Sequence, residues 1–196
     1  MSDFKFINSD HPVPKKETIG VDFSITASPN TDIWAKPPST SRFNAPILYR
    51  TIPISSFKRA RVALTADWKS LYDQGGLVLV TSGPDGDRKW VKTGIELTEG
   101  KPHISTVAKD NWADWSLLPI PSGSNAATIE LVKEPDGSLW IYFVEGITRA
   151  PVREITWFFD RDDETELWVG AYAARPAEEG GDLIVQFRHL VLEITE

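Results

Sequence analysis

Short apolar runs separated by turn residues constrain the fold of this chain more than any other feature of its sequence. The connecting segments are rich in Gly, Pro, Asp and Asn, as in TEGKP, EPDGS and AEEGGD, and such segments favour hairpins. No stretch shows a convincing 3.6-residue apolar period, so helices are not expected. This spacing predicts an all-β fold, an antiparallel sandwich or barrel. The predicted strands are Ala45–Thr51, Ala60–Ala66, Gly76–Thr81, Trp90–Leu97, His103–Ala108, Trp115–Ile120, Ala126–Val132, Leu139–Val144, Val152–Phe159, Leu167–Ala174 and Ile184–Ile194.

The strand pattern continues from Ile19 to Ile194 without a Ser/Gly/Pro-rich linker. We therefore predict one β-sandwich domain over residues 19–196, preceded by an N-terminal extension over residues 1–18. The first dozen or so residues are expected to be loosely held. KPPSTS (36–41) predicts an extended surface loop, and FDRDDETE (159–166) predicts a short acidic link.

Composition excludes several classes of function. The 196-residue chain has no cysteine, so it forms neither disulfides nor thiolate metal sites. Its net charge of −7 argues against a nucleic-acid partner. There is no apolar run long enough for a membrane span and no secretory signal, so a cytoplasmic location is expected. The eight Trp residues are numerous for one domain; most are expected in the core, and two or three are expected to line a groove.

Two surfaces alternate along the stretch WVKTGIE, residues 90–96, if it is a strand. A β-branched, apolar face suits packing on a core, whereas the other face aligns an aromatic ring, a cation and a carboxylate. Lys92 and Glu96 lie about 13 Å apart along such a strand, so they cannot pair directly. The second face is either a solvated surface or the floor of a binding site. The first face consists of Val91, Thr93 and Ile95, and the second of Trp90, Lys92, Gly94 and Glu96.

Common catalytic and cofactor motifs are weak in this sequence. A glycosidase needs two carboxylates across its cleft, but this strand supplies only Glu96, and Glu130 and Glu145 lie on other predicted strands. The histidines, His11, His103 and His189, accompany no G-x-S-x-G serine. The acidic stretch DRDDETE lacks the glycine and ligand spacing of a calcium loop. No glycine-rich phosphate motif opens a helix. We therefore predict neither a metal nor a cofactor.

Six motifs occurring in order resemble one protein family. They are ASPNTDIW, FNAPILYR, YDQGGLVL, WVKTGIE, DWSLLP and WVGAYAARP followed by VQF. Together, over residues 19–194, they resemble the family that includes the regulation-of-enolase protein and a widespread domain of unknown function. The resemblance implies a concanavalin A-like, lectin/glucanase jelly-roll sandwich of two curved antiparallel sheets, whose concave face commonly binds ligands. Short single-domain members are common in fungi, which suggests fungal small-molecule biosynthesis.

The first functional hypothesis is a groove that binds a small molecule, either a sugar or an aromatic or terpenoid metabolite. Such pockets combine apolar walls with a few convergent polar groups. Core packing is a competing role for Trp34 and Trp115. The residues assigned to stacking are Tyr72, Trp90 and Trp115, those assigned to polar contacts are Gln74, Lys92, Glu96 and Ser105, and those expected to close one end are Asp32, Trp34 and Asn44.

Two alternatives remain open. The first is a cofactor-free isomerase or cyclase, of pericyclase type and including Diels–Alder-like chemistry. In it Lys92 donates to a developing oxyanion, and Glu96 orients the substrate or moves a proton. The second is a protein-binding regulator of a glycolytic enzyme. Edge-strand pairing gives either form a route to a homodimer.

Overall fold

Two antiparallel sheets form the protein, which is described by a computed structural model covering residues 3–82 and 87–195. The seven-stranded sheet has the order β1-β5-β14-β7-β8-β9-β10, and the six-stranded sheet has the order β13-β12-β11-β6-β15-β2. A separate hairpin pairs β3 with β4. Strands distant in sequence lie side by side, as β14 does between β5 and β7. These layers give the predicted sandwich of two antiparallel sheets.

The strands are short to medium in length, and over residues 3–82 and 87–195 helical structure is limited to two single turns. The helical segments are α1 (Lys16–Ile19) and a 3-10 turn (Ile54–Ser56). The strands are β1 (Lys5–Ile7), β2 (Asp22–Ala27), β3 (Ile33–Lys36), β4 (Thr40–Phe43), β5 (Ile47–Pro53), β6 (Phe57–Ala66), β7 (Gln74–Ser82), β8 (Arg88–Thr98), β9 (Lys101–Lys109), β10 (Ala113–Pro119), β11 (Ala126–Lys133), β12 (Leu139–Glu145), β13 (Thr148–Ile155), β14 (Glu166–Ala174) and β15 (Leu183–Ile194).

Side-chain alternation along β8 separates two hydrophobic clusters. Val91 and Ile95 join the main core between the two sheets. Trp90 points to the opposite face of the seven-stranded sheet, where it packs in a second cluster with Ile33 and Ala35 of the β3–β4 hairpin. The hairpin therefore covers part of this outer face and buries an aromatic layer beneath it.

Every strand predicted from the sequence overlaps an observed strand, but four strands were not predicted. They are β1, β2, β3 and β4. The stretch KPPSTS, expected to be a surface loop, forms the end of β3, the turn and the start of β4. Residues Lys5–Ile7 pair with β5, so part of the N-terminal segment expected to be loose is held by a sheet. The predicted strand Val152–Phe159 ends at Ile155, because bends and a turn follow it.

Among the described residues, none of the helices is long and apolar enough to cross a bilayer.

Candidate functional site

A cavity of about 400 Å³ opens on the outer face of the seven-stranded sheet, beside the β3–β4 hairpin. Strands β7 to β10 supply its floor and one wall, and the hairpin supplies another wall. We call it the hairpin cavity. It is lined by Asp32, Trp34, Lys36, Arg42, Tyr72, Gln74, Lys92, Glu96, Val107, Trp115 and Pro176.

Three aromatic side chains form one side of the hairpin cavity. The ring of Trp115 makes edge contacts with Trp34 at a centroid distance of 5.9 Å and with Tyr72 at 6.0 Å. Trp34 and Trp115 are half-buried, whereas Tyr72 is exposed. Tyr72 has a positive φ of 66°, and its backbone N–H donates to the Leu97 carbonyl at 2.8 Å. Interlocked rings with accessible faces provide a preformed apolar wall.

Lys92 places an ammonium group on the cavity floor although the residue is only 2% exposed. Its Nζ donates to Gln74 Oε1 at 2.5 Å and lies 3.6 Å from Asp32 Oδ1. The rings of Trp90 and Tyr172 lie 5.9 and 5.8 Å away, which suits cation–π contacts. Burial lowers the pKa of Lys92 below its ordinary value, although the charges of Asp32 and Glu96 act in the opposite direction.

Glu96 supplies a buried carboxyl group at the same floor. Its Oε2 accepts a hydrogen bond from Ser105 Oγ at 2.6 Å, and Ser105 Oγ accepts one from Trp115 Nε1 at 3.0 Å. This chain of hydrogen bonds ties the aromatic wall to the carboxyl group. Burial raises the pKa of Glu96 above its ordinary value, and the opposing effects of Lys92 and Ser105 are smaller.

Seven of the ten residues proposed from the sequence line the hairpin cavity, and three do not. Trp90 is 3% exposed and packs beneath Lys92. Ser105 does not line the cavity; its hydroxyl is hydrogen-bonded to Glu96 and Trp115, which do. Asn44 is exposed; its Oδ1 accepts from the Asp32 backbone N–H at 2.8 Å, so it positions the Asp32 loop. The seven that line the cavity are Asp32, Trp34, Tyr72, Gln74, Lys92, Glu96 and Trp115.

The structure also places residues that the sequence did not associate with the site. Arg42 lies opposite Trp34 in the hairpin register, so it could be found only once the hairpin was known. The second carboxylate of the cavity is that of Asp32, which the sequence already placed at one end of the groove. Glu130, which lies on another predicted strand, instead accepts hydrogen bonds from Arg59 and Arg149 on the other sheet. The remaining additions are Lys36, Val107 and Pro176.

Replacing Glu96 with glutamine is expected to change how stability depends on pH. Because the folded-state pKa of Glu96 is raised, the folded protein binds more protons than the unfolded chain above about pH 4.5, the ordinary value of this carboxyl. Stability is then full below that pH and falls as pH rises through the folded-state pKa. Glu96→Gln should remove this decline, which thermal unfolding at a series of pH values will measure.

Glu130 provides a control of opposite sign. Burial opposes its ionisation, but hydrogen bonds from Arg59 and Arg149 outweigh burial and lower its pKa. Stability from Glu130 is therefore present above the ordinary value and lost as pH falls through the folded-state pKa. Glu130→Gln should remove a rise in stability with pH. If the difference in stability between Glu96→Gln and the wild type stays constant across the pH series, the pKa of Glu96 is not raised in the folded protein.

Within residues 3–82 and 87–195, no three His, Asp or Glu side chains come together in an arrangement that could hold a metal ion.

Comparison with known sequences relates the whole chain to fungal proteins. The family model described as "Protein of unknown function (DUF1349)" matches residues 10–194. An uncharacterized protein of Emericella nidulans is 58% identical over 196 residues, which are 100% of this chain and 98% of that protein. Regulation of enolase protein 1 of Saccharomyces cerevisiae is 35% identical over 57 residues, 29% of this chain and 27% of that protein.

Solved structures show the same architecture. A functionally unknown protein from Saccharomyces cerevisiae superposes with a TM-score of 0.79 at 26% identity, covering 99% of this chain and 97% of that chain. A pseudo beta-1,3-glucanase of Mycobacterium tuberculosis superposes with a TM-score of 0.54 at 11% identity, covering 98% and 91%. The second likeness concerns the fold alone. The predicted lectin/glucanase-type jelly-roll sandwich is confirmed.

Proposed function

The chain belongs to the family described as "Protein of unknown function (DUF1349)", and from its hairpin cavity we propose that it binds a small organic ligand. The ligand class proposed is a sugar or an aromatic or terpenoid metabolite. Membership of the family was expected from the six sequence motifs, and the matches over residues 10–194 confirm it.

The observation that carries this proposal is the convergence of aromatic and polar side chains on one cavity. Its volume of about 400 Å³ lies in the range of small-molecule sites. A solvated outer face would leave Lys92 and Glu96 exposed, but they are 2% and 5% exposed. Desolvating two ionisable groups is costly, so their burial beside an open cavity favours a role in recognition.

The arrangement of the walls indicates how a ligand would be held. An apolar ring face would pack against Trp34 and Trp115, whose accessible surfaces face the cavity. Hydroxyl or carbonyl groups of the same ligand would meet Gln74 and Glu96 on the floor. Pockets of this kind obtain affinity from the apolar walls and orientation from a few polar groups.

Replacing Trp115 with alanine is expected to weaken ligand binding about ten-fold or more, because the change removes a ring contact and the hydrogen bond that fixes Ser105. The measurement is a titration calorimetry screen of purified protein against simple sugars, oligosaccharides, aromatic metabolites and terpenoids. Each ligand that binds the wild type is then titrated into the variant.

Trp140 offers a matched control for this experiment. It is a half-buried tryptophan on β12 of the other sheet, stacked on Tyr142 at 6.0 Å. Trp140→Ala should leave ligand affinity unchanged. Equal losses of affinity in both variants, or a ligand that binds both like wild type, would contradict binding in the hairpin cavity.

A second candidate function, a cofactor-free isomerase or cyclase, is favoured by one observation. A buried ammonium and a buried carboxyl group share the cavity floor, and their pKa values are shifted towards neutrality. Groups perturbed in this way suit proton transfer. Conversion of a bound ligand into a new product during the titrations would favour this candidate over passive binding.

A further inference from the structure

We propose that Lys92 forms an imine with ligands that carry an aldehyde or ketone group. This inference rests on the binding function proposed above, and it names the reactive class of ligand that would enter the hairpin cavity. Lysine acts as a covalent nucleophile when a desolvated environment favours its neutral amine. The structure supplies both a desolvated lysine and an adjoining cavity that can hold a carbonyl compound.

The immediate neighbours of Lys92 Nζ are mainly neutral. Its closest partner is the Gln74 amide oxygen at 2.5 Å, and the nearer carboxylate oxygen, of Asp32, lies at 3.6 Å. Two aromatic rings, those of Trp90 and Tyr172, flank the ammonium group. A neutral amine can keep the contact with Gln74, because an amide oxygen accepts a hydrogen bond from either form. Lys92 can therefore lose its proton and still keep a hydrogen-bond partner.

Lys109 is the other buried lysine among the described residues, and its environment differs. It is 7% exposed, and its Nζ donates to the Asp87 carboxylate at 2.9 and 3.1 Å and to the Arg88 carbonyl at 2.8 Å. The contacts with Asp87 are charge-assisted contacts with a carboxylate, which Lys92 Nζ does not make at hydrogen-bond distance. Lys109 is absent from the residues that line the hairpin cavity. Burial alone therefore does not distinguish Lys92; its weak ion pairing and access to a cavity do.

The charged groups around the hairpin cavity are consistent with a reactive amine. Asp32 and Glu96 favour the ammonium form, but burial outweighs them and lowers the pKa of Lys92. The buried phenol of Tyr172 has a pKa well above its ordinary value and stays neutral. Lys36 and Arg42 are the other cationic residues among the described residues that line the cavity.

The reaction is balanced without an oxidant or reductant. The lone pair of neutral Lys92 Nζ attacks the carbonyl carbon, and one of the two amine protons moves to the carbonyl oxygen, giving a neutral carbinolamine. Protonation of its hydroxyl group and cleavage of the C–O bond release water and leave a C=N bond whose nitrogen, Nζ, still carries the second amine proton. Glu96 has a raised pKa and lines the same floor, so its protonated form is suited to give the proton that water loss requires.

The test uses the full chain, salicylaldehyde as the carbonyl probe and sodium cyanoborohydride to reduce any imine to a stable secondary amine. Peptide mapping by mass spectrometry then gives the labelling rate of each lysine. Lys92 should be labelled at least several-fold faster than Lys109 and the surface lysines, because burial lowers its pKa and so raises the fraction of neutral amine. Labelling of Lys92 at or below the surface rate would overturn the proposal.

Two variants separate imine formation from simple binding. Glu96→Gln should slow the labelling of Lys92, and the pH profile of the labelling rate should no longer show the titration of a carboxyl group. An unchanged labelling rate would show that Glu96 does not give the proton in this reaction. Lys92→Met should lose the fast adduct; because this variant risks misfolding, the wild-type peptide map remains the deciding measurement. If ligands without a carbonyl bind the wild type while Lys92 stays unlabelled, the imine is wrong and the binding function stands.

Discussion

Replacing Asp73 with alanine is expected to lower the free energy of unfolding by about 3–5 kcal/mol. The Asp73 carboxylate is fully buried and binds Arg175 in a bidentate pair, with Nε to Oδ1 at 2.8 Å and Nη2 to Oδ2 at 2.7 Å. Its Oδ2 also accepts the backbone N–H groups of Lys69 and Ser70, each at 2.9 Å. Removing the carboxylate leaves a guanidinium and two amides without their acceptor.

The effect should be large because this ion pair connects three segments beside the hairpin cavity. The Arg175 backbone N–H donates to Thr31 Oγ1, and its Nη1 donates to the Gly181 carbonyl. Asp73 itself lies between Tyr72 and Gln74, and its carbonyl accepts the Leu97 N–H at 2.9 Å. Loss of the pair is therefore expected to loosen the cavity wall as well as the fold.

Urea unfolding followed by tryptophan fluorescence will measure the change. Asp67→Ala is the control, because Asp67 pairs with Lys69 at 2.6 Å on the surface, with 78% of its side chain exposed. Exposed pairs contribute about 0–1 kcal/mol. If both variants lower the free energy of unfolding by the same small amount, the Asp73–Arg175 pair does not hold these segments together.

Most of the strands could be predicted from the sequence because alternation and turn residues are local signals. The pairing order could not, since β14 pairs with β5 across more than a hundred intervening residues of the chain and with β7 across more than eighty. The hairpin of β3 and β4 was missed for another reason. Each of its strands has four residues, too few for alternation to stand out, and its turn contains Pro37 and Pro38, which suggest a loop.

The site was predicted in part, and the division has a physical cause. Alternation along β8 assigned Trp90, Lys92 and Glu96 to one face, and the structure places all three there. Alternation does not say what covers that face. The hairpin packs over the Trp90 end, which becomes core, and leaves the end with Lys92 and Glu96 open to the cavity. Only tertiary structure could make that distinction.

A glycine inside a strand often marks a place where another group approaches the backbone closely, and in the structure the group that approaches Gly94 is the neighbouring strand β7. Gly94 lies opposite Gly76 in the β7–β8 register, and the backbones of the two strands fill the space that a side chain would need. A Cβ atom on Gly76 would meet the Thr93 carbonyl oxygen at 2.0 Å. The two glycines therefore allow close contact between strands that position Gln74 and Lys92 on the floor.

Gly94→Ala is accordingly expected to lower the free energy of unfolding by at least about 3 kcal/mol, at the upper end of the effects seen for overpacking. Its Cβ would lie 2.0 Å from the Gly75 carbonyl oxygen and 2.6 Å from the Gly76 Cα, both backbone atoms. Backbone atoms cannot rotate away as a flexible side chain can, so the strands must separate. Urea unfolding will measure the loss of stability.

Gly20→Ala is the matched control, because Gly20 has an ordinary φ of −76° and nothing lies within 4 Å of an added Cβ. This variant should unfold within about 1 kcal/mol of the wild type. A second readout is ligand binding. Gly94→Ala should weaken binding even at urea concentrations too low to unfold the variant, since separating β7 from β8 displaces Gln74 from Lys92. A Gly94→Ala protein as stable as Gly20→Ala would show that the strands adjust easily, and the close contact would then have no part in holding the cavity floor.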